Sequence, residues 1–273
     1  MDILIEMLND TIKAVKPWVK FGISPFGVWR NIADDPRGSE TKAGTTNYDQ
    51  LYADVIKWQE KGWIDYLLPQ LYWQIGHSSV DFETLANWWK DHAYGRAMYI
   101  GQAVYKIEQN ATVKEWTMPD ELPKQIRFLR SIAGINGSGF YSSIHFRRDL
   151  FGFQDSLKNE LYQKQSIVPP MKWIDSDPPQ PVVKIKKRGR KVKWKTTETV
   201  SEMDRPNLFV VYGNEKGITF ESKDAAQITG IIKEQEIKLE KMNRKKKKYE
   251  IRVSVLDRLN NESEVSEPVV VKL

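Results

Sequence analysis

A proline-rich segment divides the chain into two parts of different composition. Residues 168–181 contain five prolines, which remove backbone donors and favour extended conformations before them, so we expect a linker there. Of the 31 aromatic residues, 26 precede residue 176, whereas residues 176–273 carry 22 Lys and Arg against 15 Asp and Glu. With roughly 100–200 residues per domain, the sequence predicts two domains, 1–175 and 176–273.

Strand-like and helical segments alternate in the first domain. Apolar spacing predicts helices over 3–15, 48–61 (with Asn47 as N-cap), 82–92, 120–133 and 154–163, and strands over 18–25, 64–72, 97–105 and 140–144. This alternation predicts a parallel sheet, either open and doubly wound or part of a (β/α)8 barrel. A nucleotide-binding sheet needs a glycine-rich loop directly after a strand, whereas the glycine-rich residues 134–139 precede a predicted strand. The barrel is therefore favoured.

Side chains suited to sugars follow the predicted strands. The carboxyl ends of barrel strands carry the active sites of such folds, and aromatic rings can stack there on sugars while amides and guanidinium groups direct hydrogen bonds. The candidate substrate-binding residues are Trp29, Arg30, Asn31, Gln70, Tyr72, Trp73, Gln102, Tyr105 and Ser142.

Several long motifs lie at the predicted strands of the first domain: FGISPFGVWRN at 21–31, GWIDYLLPQLYW at 62–73, IGQAVY at 100–105 and GFYSS at 139–143. Together they resemble the bacterial glycoside-hydrolase-like family 10. The resemblance covers roughly residues 1–175 and implies a barrel that acts on or binds a poly- or oligosaccharide. It also implies an extracytoplasmic location (periplasmic, outer surface or secreted), although the sequence has no signal peptide.

The same resemblance implies that part of the barrel is absent from this chain. The motif at 21–31 resembles the fifth barrel strand, so we expect about four βα units, without the family's candidate catalytic carboxylates on the fourth strand. Glycoside hydrolysis usually needs two carboxyl groups about 5–10 Å apart, and no predicted strand end carries one. Asp34 and Asp35 are the remaining catalytic candidates, followed by Glu108, although Asp-Asp-Pro is also ordinary turn chemistry.

Three interpretations of function follow from these motifs. In the first, the chain is the C-terminal half of a carbohydrate-active barrel that is active only with its missing N-terminal half. In the second, it is a non-catalytic carbohydrate-binding or scaffold module. In the third, it is a half-barrel that pairs with a second copy to rebuild eight strands. We expect no cofactor and no metal, because the chain has no Cys and His77, His92 and His145 are far apart. No stretch approaches the roughly 18 apolar residues of a membrane span.

Short β-branched or alternating runs predict an all-β second domain. They lie at 181–185, 191–194, 207–212, 228–232, 249–255 and 269–273. The placement of Trp194, Tyr212 and Tyr249 resembles a fibronectin type III β-sandwich, in which Trp194 and Tyr249 are expected in the core. We interpret the basic runs at 186–191 and 244–248 as solvated turns rather than a site for nucleic-acid phosphates or anionic glycans. The first run spans a strand–turn–strand and the second precedes a strand, where Lys also blocks edge pairing, and no base-stacking platform accompanies them.

Overall fold

The computed structural model describes residues 1–108, 111–148, 150–198, 201–240 and 247–273. The chain forms two compact units, Met1–Gln163 and Lys164–Leu273. The proline-rich segment therefore belongs to the second unit, and the division precedes the boundary expected near Asp175. Residues 168–181 contain no regular helix or strand, as their prolines predict. Within the described residues, no helix has both the length and the apolar character needed to cross a bilayer.

Four parallel strands form the sheet of the first unit. They are β1 (Gly22–Ile23), β2 (Tyr66–Leu67), β3 (Ala97–Gln102) and β4 (Ile135–Phe140), and they lie side by side in chain order. This is the order that consecutive βα units produce. Isolated parallel bridges, Phe26 to Gln70 and Gln70 to Gly101, continue the pairing beyond the carboxyl ends of β1 and β2. The predicted parallel α/β class is confirmed.

Helices separate these strands along the chain. They are α1 (Asp2–Val15), α2 (Val55–Glu60), α3 (Phe82–Asp91), α4 (Glu121–Ser131) and α5 (Phe153–Ser156), and α5 continues into a π-helical turn, Leu157–Leu161. The prediction for α2 is wrong in its start. Asn47 donates from Nδ2 to the carbonyl oxygens of Phe26 and Val28 at 2.8 and 3.0 Å instead of capping a helix. Asp54 is the N-cap and accepts a hydrogen bond from the Lys57 N–H.

The fourth strand also differs from its prediction. The glycine-rich residues expected to precede it form most of β4, and Ser143–Arg147 is a 3-10 helix rather than part of a strand. A Cβ added to Gly139 would lie 2.7 Å from Leu68 Cδ1. The glycines therefore allow side chains of neighbouring strands to cover β4 closely, and their lack of a side chain removes the alternation by which a strand is recognised in a sequence.

The second unit consists of two antiparallel sheets. One has the order β5-β6-β9, with β5 (Val183–Arg188), β6 (Lys191–Lys195) and β9 (Glu236–Lys238). The other has the order β11-β10-β7-β8, with β7 (Leu208–Glu215), β8 (Ile228–Ile232), β10 (Lys248–Leu256) and β11 (Val269–Lys272). Trp194, Val211 and Val253 belong to one apolar cluster shared by both sheets. Trp194 and Tyr249 are buried, as their core assignment predicts.

Candidate functional site

A pocket of about 340 Å³ lies among the segments that follow β2 and β3. Its volume falls within the usual range for small-ligand sites, about 300–1,000 Å³. The lining residues are Trp73, Gln74, His77, Tyr105, Lys106, Glu108, Ala111, Thr112, Val113 and Trp116. Because the carboxyl ends of parallel strands share one edge of the sheet, residues that lie far apart in the sequence meet here. We call it the Trp73 pocket.

Aromatic rings build one side of the Trp73 pocket. The Trp73 indole packs edge-on against Phe26, with ring centroids 5.8 Å apart. Tyr105 packs edge-on against Tyr72 at 5.8 Å and against Tyr141 at 5.9 Å. Burial, followed by the neighbouring phenols, raises the pKa of Tyr72 to about 12, so this phenol is neutral at physiological pH. The cluster presents uncharged rings of the kind that stack on the apolar faces of sugars.

A basic and an acidic side chain accompany these rings. Lys106 Nζ donates a 2.5 Å hydrogen bond to the Tyr72 carbonyl and lies 5.5 Å from the Trp116 ring centroid. Burial lowers the pKa of Lys106. Glu108 is exposed, and its backbone N–H donates to the carbonyl of Trp116. The pocket therefore combines aromatic surface with a fixed cation and one accessible carboxyl group.

A buried polar network joins β3 and α4 to the chain that carries Trp73. Gln102 Nε2 donates to Gln125 Oε1 at 3.1 Å, and Gln125 Nε2 donates to Glu121 Oε1 at 2.8 Å and to the Trp73 carbonyl at 3.1 Å. Glu121 Oε1 also accepts the Ile75 N–H at 2.9 Å. Burial raises the pKa of Glu121. The network fixes the backbone from Trp73 to Ile75, and Gln102 acts within it rather than at a surface.

Sequence reasoning missed Glu121 and Gln125, although a signal was present. The apolar side of α4 is formed by Leu122, Ile126 and Leu129, which are buried. Glu121 and Gln125 are spaced four residues apart along the same side of the helix and are also buried. Polar residues in such a position require hydrogen-bond partners inside the protein. The pattern therefore predicts a buried network, though not its partners.

The predicted substrate-binding residues that follow β1, Trp29, Arg30 and Asn31, lie outside the Trp73 pocket. Trp29 has 0% exposed surface, stacks on Trp88 at 6.1 Å and donates from Nε1 to Asp54 Oδ1 at 3.3 Å. A fully covered indole offers no face to a sugar, so we assign Trp29 to the core instead of to substrate contact. Asn31 organises its own loop, because its Oδ1 accepts the Ala43 N–H at 2.7 Å.

Two of the three acidic catalytic candidates, Asp34 and Asp35, serve the same loop, whereas the third, Glu108, lines the Trp73 pocket. Arg30 forms ion pairs with Asp35 at 3.0 Å and with Asp49 at 2.9 Å. The backbone N–H of Arg37, followed by the guanidinium groups of Arg37 and Arg30, holds the pKa of Asp35 below its usual range. Asp35 Oδ2 accepts from Arg30 Nη1 at 3.0 Å and Oδ1 accepts the Arg37 N–H at 2.9 Å, so both carboxylate oxygens are engaged within the loop. Asp34 accepts from Asn31 Nδ2 at 3.1 Å, so the turn interpretation explains both residues.

Two further predicted residues occupy strand ends without lining the pocket. Gln70 Nε2 donates to the Ser24 carbonyl at 3.1 Å, which ties the ends of β1 and β2 together. The carbonyl of Ser142 accepts the His145 N–H at 3.0 Å and begins the 3-10 helix after β4. Of the nine predicted residues, the structure therefore places Trp73 and Tyr105 in the pocket lining, and Tyr72 directly behind Tyr105.

An acidic group in the second unit is the arrangement among the described residues that could hold a metal ion. Asp175, Asp204 and Asp257 each offer one carboxylate oxygen, and these oxygens lie within 4.8 Å of one another. Burial raises the pKa of Asp257. The three residues are distant in the sequence, so no motif predicts them. Acidic groups of this kind are also common without an ion, and we assign no metal to them.

Comparisons with known proteins agree with the sequence motifs. Residues 1–118 match the family described as Glycosyl hydrolase-like 10. The chain is 40% identical over 269 residues to the glycosyl hydrolase YngK of Bacillus subtilis (strain 168), an alignment that covers 96% of this chain and 52% of YngK. It is 40% identical over 152 residues to the glycosyl hydrolase DigH of Escherichia coli (strain K12), covering 54% of this chain and 33% of DigH.

The matches to these relatives cover only part of each relative's length. The chain spans about half the length of YngK and a third of DigH. Among solved structures, the spore cortex lytic enzyme SleM of Clostridium perfringens aligns at 12% identity over 76% of this chain and 67% of that chain, with a TM-score of 0.25, too low to support an argument about fold. The family match and the curated relatives together support a glycoside-hydrolase-like protein.

Proposed function

We propose that the first unit binds a poly- or oligosaccharide in the Trp73 pocket and does not hydrolyse it as this chain alone. The observation that carries the proposal is the meeting of Trp73 and Tyr105 with Lys106 and Glu108 in one pocket of about 340 Å³. Aromatic rings beside a few fixed polar groups are the usual composition of a site that orients a sugar. The glycosyl hydrolase names of the relatives support the same ligand class.

The distribution of carboxyl groups supports binding rather than hydrolysis. Both common mechanisms of glycoside hydrolysis place two carboxyl groups on either side of the scissile bond. Among the described lining residues of the Trp73 pocket, Glu108 alone carries a carboxyl group. Glu121 is buried and held in hydrogen bonds, and Asp35 is ion-paired in another loop. A second reacting carboxyl group would have to come from another polypeptide segment.

We also propose that the first unit is the C-terminal half of a (β/α)8 barrel. The order β1-β2-β3-β4 with all strands parallel supports this, since each βα unit of a barrel pairs with the next. In this proposal the carboxyl groups needed for hydrolysis belong to the other half. The family resemblance further supports an extracytoplasmic location.

A second copy of the chain is the alternative partner for this half-barrel. Strands β1 and β4 are the two edges of the described sheet. The backbone N–H and C=O groups on their outer sides have no strand partner there, and a second copy would supply one. Helix α1 also exposes apolar side chains, including Ile3 at 73% and Met7 at 61%. Light scattering of the purified chain distinguishes the two arrangements. A concentration-independent monomer removes the second copy, and a dimer supports it.

For the second unit we propose a fibronectin type III-like β-sandwich. The three-stranded order β5-β6-β9 beside the four-stranded order β11-β10-β7-β8 supports it, because sandwiches of this class divide seven strands in that manner. Tyr212 contributes a buried hydroxyl that donates to Glu262 Oε1 at 2.6 Å. In this proposal the unit is an accessory domain, and its buried Trp194 and Tyr249 take no part in sugar contact.

Binding and turnover are tested on the same purified chain. A glycan array identifies an oligosaccharide, and calorimetry then measures its affinity for three variants. We expect Trp73→Ala to lower the affinity roughly tenfold, about 1.4 kcal/mol, because an aromatic contact is lost, and Trp73→Phe to restore most of it. Tyr52→Asn is the control, since Tyr52 is an exposed aromatic outside the pocket at a positive φ that Asn tolerates.

Two outcomes contradict the proposal. If Tyr52→Asn weakens binding as much as Trp73→Ala, the sugar does not bind in the Trp73 pocket. If the chain releases reducing ends from the bound oligosaccharide in proportion to its concentration, the proposal of binding without hydrolysis is wrong. Loss of that release in Glu108→Gln would then identify Glu108 as a catalytic residue.

A further inference from the structure

Basic side chains cover the outer face of the three-stranded sheet in the second unit. Val192 and Trp194 are buried in the core, so the alternating residues of β6 point to the opposite side. Across the strands, Lys186 lies opposite Lys193, Arg188 opposite Lys191, and Lys191 opposite Lys238. These positions define what we call the basic face: Lys186, Arg188, Lys191, Lys193, Lys195 and Lys238.

The register places like charges directly opposite each other on this face. Such pairs destabilise a sheet, whereas opposite charges at the same positions would stabilise it. Glu236 supplies the one acidic side chain among the described residues that these registers place on the face, and it pairs with Lys191 and Lys193. Hydrogen bonds from the two ammonium groups hold the pKa of Glu236 below its usual range. Six cations against one carboxylate leave a strong positive charge.

The sequence interpretation of these lysines as solvated turns is therefore incomplete. Of residues 186–191, Gly189 and Arg190 form the turn and the others lie in β5 and β6. The alternation of β6 then adds Lys193 and Lys195, which follow the run directly, and the register adds Lys238 from β9. The second basic run, at 244–248, lies mostly outside the described residues.

We propose that the basic face binds an acidic polysaccharide, a sugar chain that carries carboxylate groups on its repeats. The side chains are accessible, as Lys193 is 60% exposed. Ammonium groups act as point charges on flexible stems and so suit a chain of regularly spaced anions. Strands about 4.8 Å apart with same-face residues about 7 Å apart let one polymer contact several cations at once.

The chemistry of the face favours this polymer over two other polyanions. Among the described residues assigned to the face none is aromatic, so single-stranded nucleic acid finds no stacking platform. Val183, opposite Lys195, is the apolar residue that the register places beside these lysines, and it is partly buried, so a bilayer gains no exposed anchor from the described residues of the face. The choice of a polysaccharide rests on the proposed carbohydrate function of the first unit, whereas the position of the anion site follows from the register alone.

Equilibrium binding of the full chain to polygalacturonate tests the proposal. The matched control polymer is fully methyl-esterified polygalacturonate, which has the same backbone without the charges. We expect the affinity for the charged polymer to fall with added salt and to fall at least tenfold in the double variant Lys186→Glu/Lys195→Glu. Because the carboxylate introduced at position 186 would lie opposite Lys193, the folded sheet is not expected to lose stability, and a thermal melt verifies this.

A control variant separates the basic face from net charge. The double variant Lys158→Glu/Lys223→Glu replaces two exposed lysines outside the basic face and changes the net charge by the same amount. It should alter the affinity for polygalacturonate less than twofold. Equal losses in both double variants would overturn the proposal, as would equal affinities of the native chain for the charged and the esterified polymer. Tighter binding to duplex DNA or to anionic vesicles than to polygalacturonate at equal charge concentration would assign the face to that partner instead. Neutral oligosaccharide binding, lost in Trp73→Ala, reports on the first unit independently.

Discussion

At the scale of single residues, burial separates the tryptophans of this chain by role. Trp29 and Trp73 each follow a predicted strand, so residue type and position alone predict sugar contact for both. The structure covers Trp29 completely and leaves part of Trp73 facing a pocket. The difference arises because Trp88 of α3 stacks on Trp29, a contact between segments some sixty residues apart that local sequence does not encode.

Replacing each of these tryptophans should therefore have a different effect on stability. Trp29→Ala removes a fully buried indole and its hydrogen bond to Asp54, and we expect a loss of about 3–5 kcal/mol in the unfolding free energy of the first unit. Trp73→Ala should cost clearly less, because its ring is only partly buried. Urea denaturation followed by circular dichroism measures both, and equal losses would contradict the core assignment of Trp29.

Glu121 should make stability depend on pH in a particular direction. Burial raises the pKa of Glu121, so the folded state favours the protonated carboxyl group. Stability contributed by this preference is present at acidic pH and is lost as the pH rises through the raised value. Glu121→Gln keeps an oxygen for the Ile75 N–H without the charge. The melting temperature of this variant relative to the native chain should increase between pH 4 and pH 8.

The exposed Glu108 provides the control for that measurement. Glu108→Gln removes a carboxyl group that already faces solvent, so its melting temperature relative to the native chain should change little over the same range. If Glu121→Gln shows a constant difference across the range, the raised pKa of Glu121 does not contribute to stability.

At the scale of elements, strongly periodic helices are predictable and glycine-rich strands are not. Helix α3 is predicted over 82–92 and spans Phe82–Asp91. The prediction succeeds because Asp81 caps the helix and four apolar side chains face the core. Strand β4 is missed, since glycines at 137 and 139 carry no side chain to alternate. The start of α2 is missed because Asn47 bonds to a distant loop, although it has the chemistry of an N-cap.

Gly27 fixes how closely the ends of β1 and β2 approach. A Cβ there would lie 2.6 Å from the Gln70 carbonyl oxygen and 2.5 Å from the Trp73 ring. Because a backbone oxygen cannot move aside alone, we expect Gly27→Ala to destabilise the first unit by about 1–3 kcal/mol and to displace Trp73, weakening sugar binding. Gly44→Ala is the matched control, with no atom within 4 Å of the added methyl group, and should change stability by less than about 1 kcal/mol.

At the scale of the whole molecule, composition predicts that the chain has two parts, and the alternation of strands and helices predicts a parallel sheet. Neither predicts the Trp73 pocket or the basic face in full. Alternating strands and helices imply the order β1-β2-β3-β4. The Trp73 pocket is predictable only in part. Trp73 and Tyr105 follow strands, whereas Lys106 and Trp116 come from two short 3-10 helices after β3, Val104–Lys106 and Lys114–Thr117. The basic face depends on strand register, which a one-residue shift would reverse. Five of its six residues lie within 186–195, but the register determines which of them share a side and adds Lys238.

The location of a bound oligosaccharide tests the central claim most directly. The ten tryptophans give separate indole N–H signals in a 1H–15N NMR spectrum, and each reports on its own surroundings. Titration with the oligosaccharide identified by the array should shift the signals of Trp73 and Trp116, which line the pocket, and leave those of the buried Trp29 and Trp89 in place. Shifts confined to other tryptophans, with Trp73 and Trp116 unchanged, would contradict sugar binding in the Trp73 pocket.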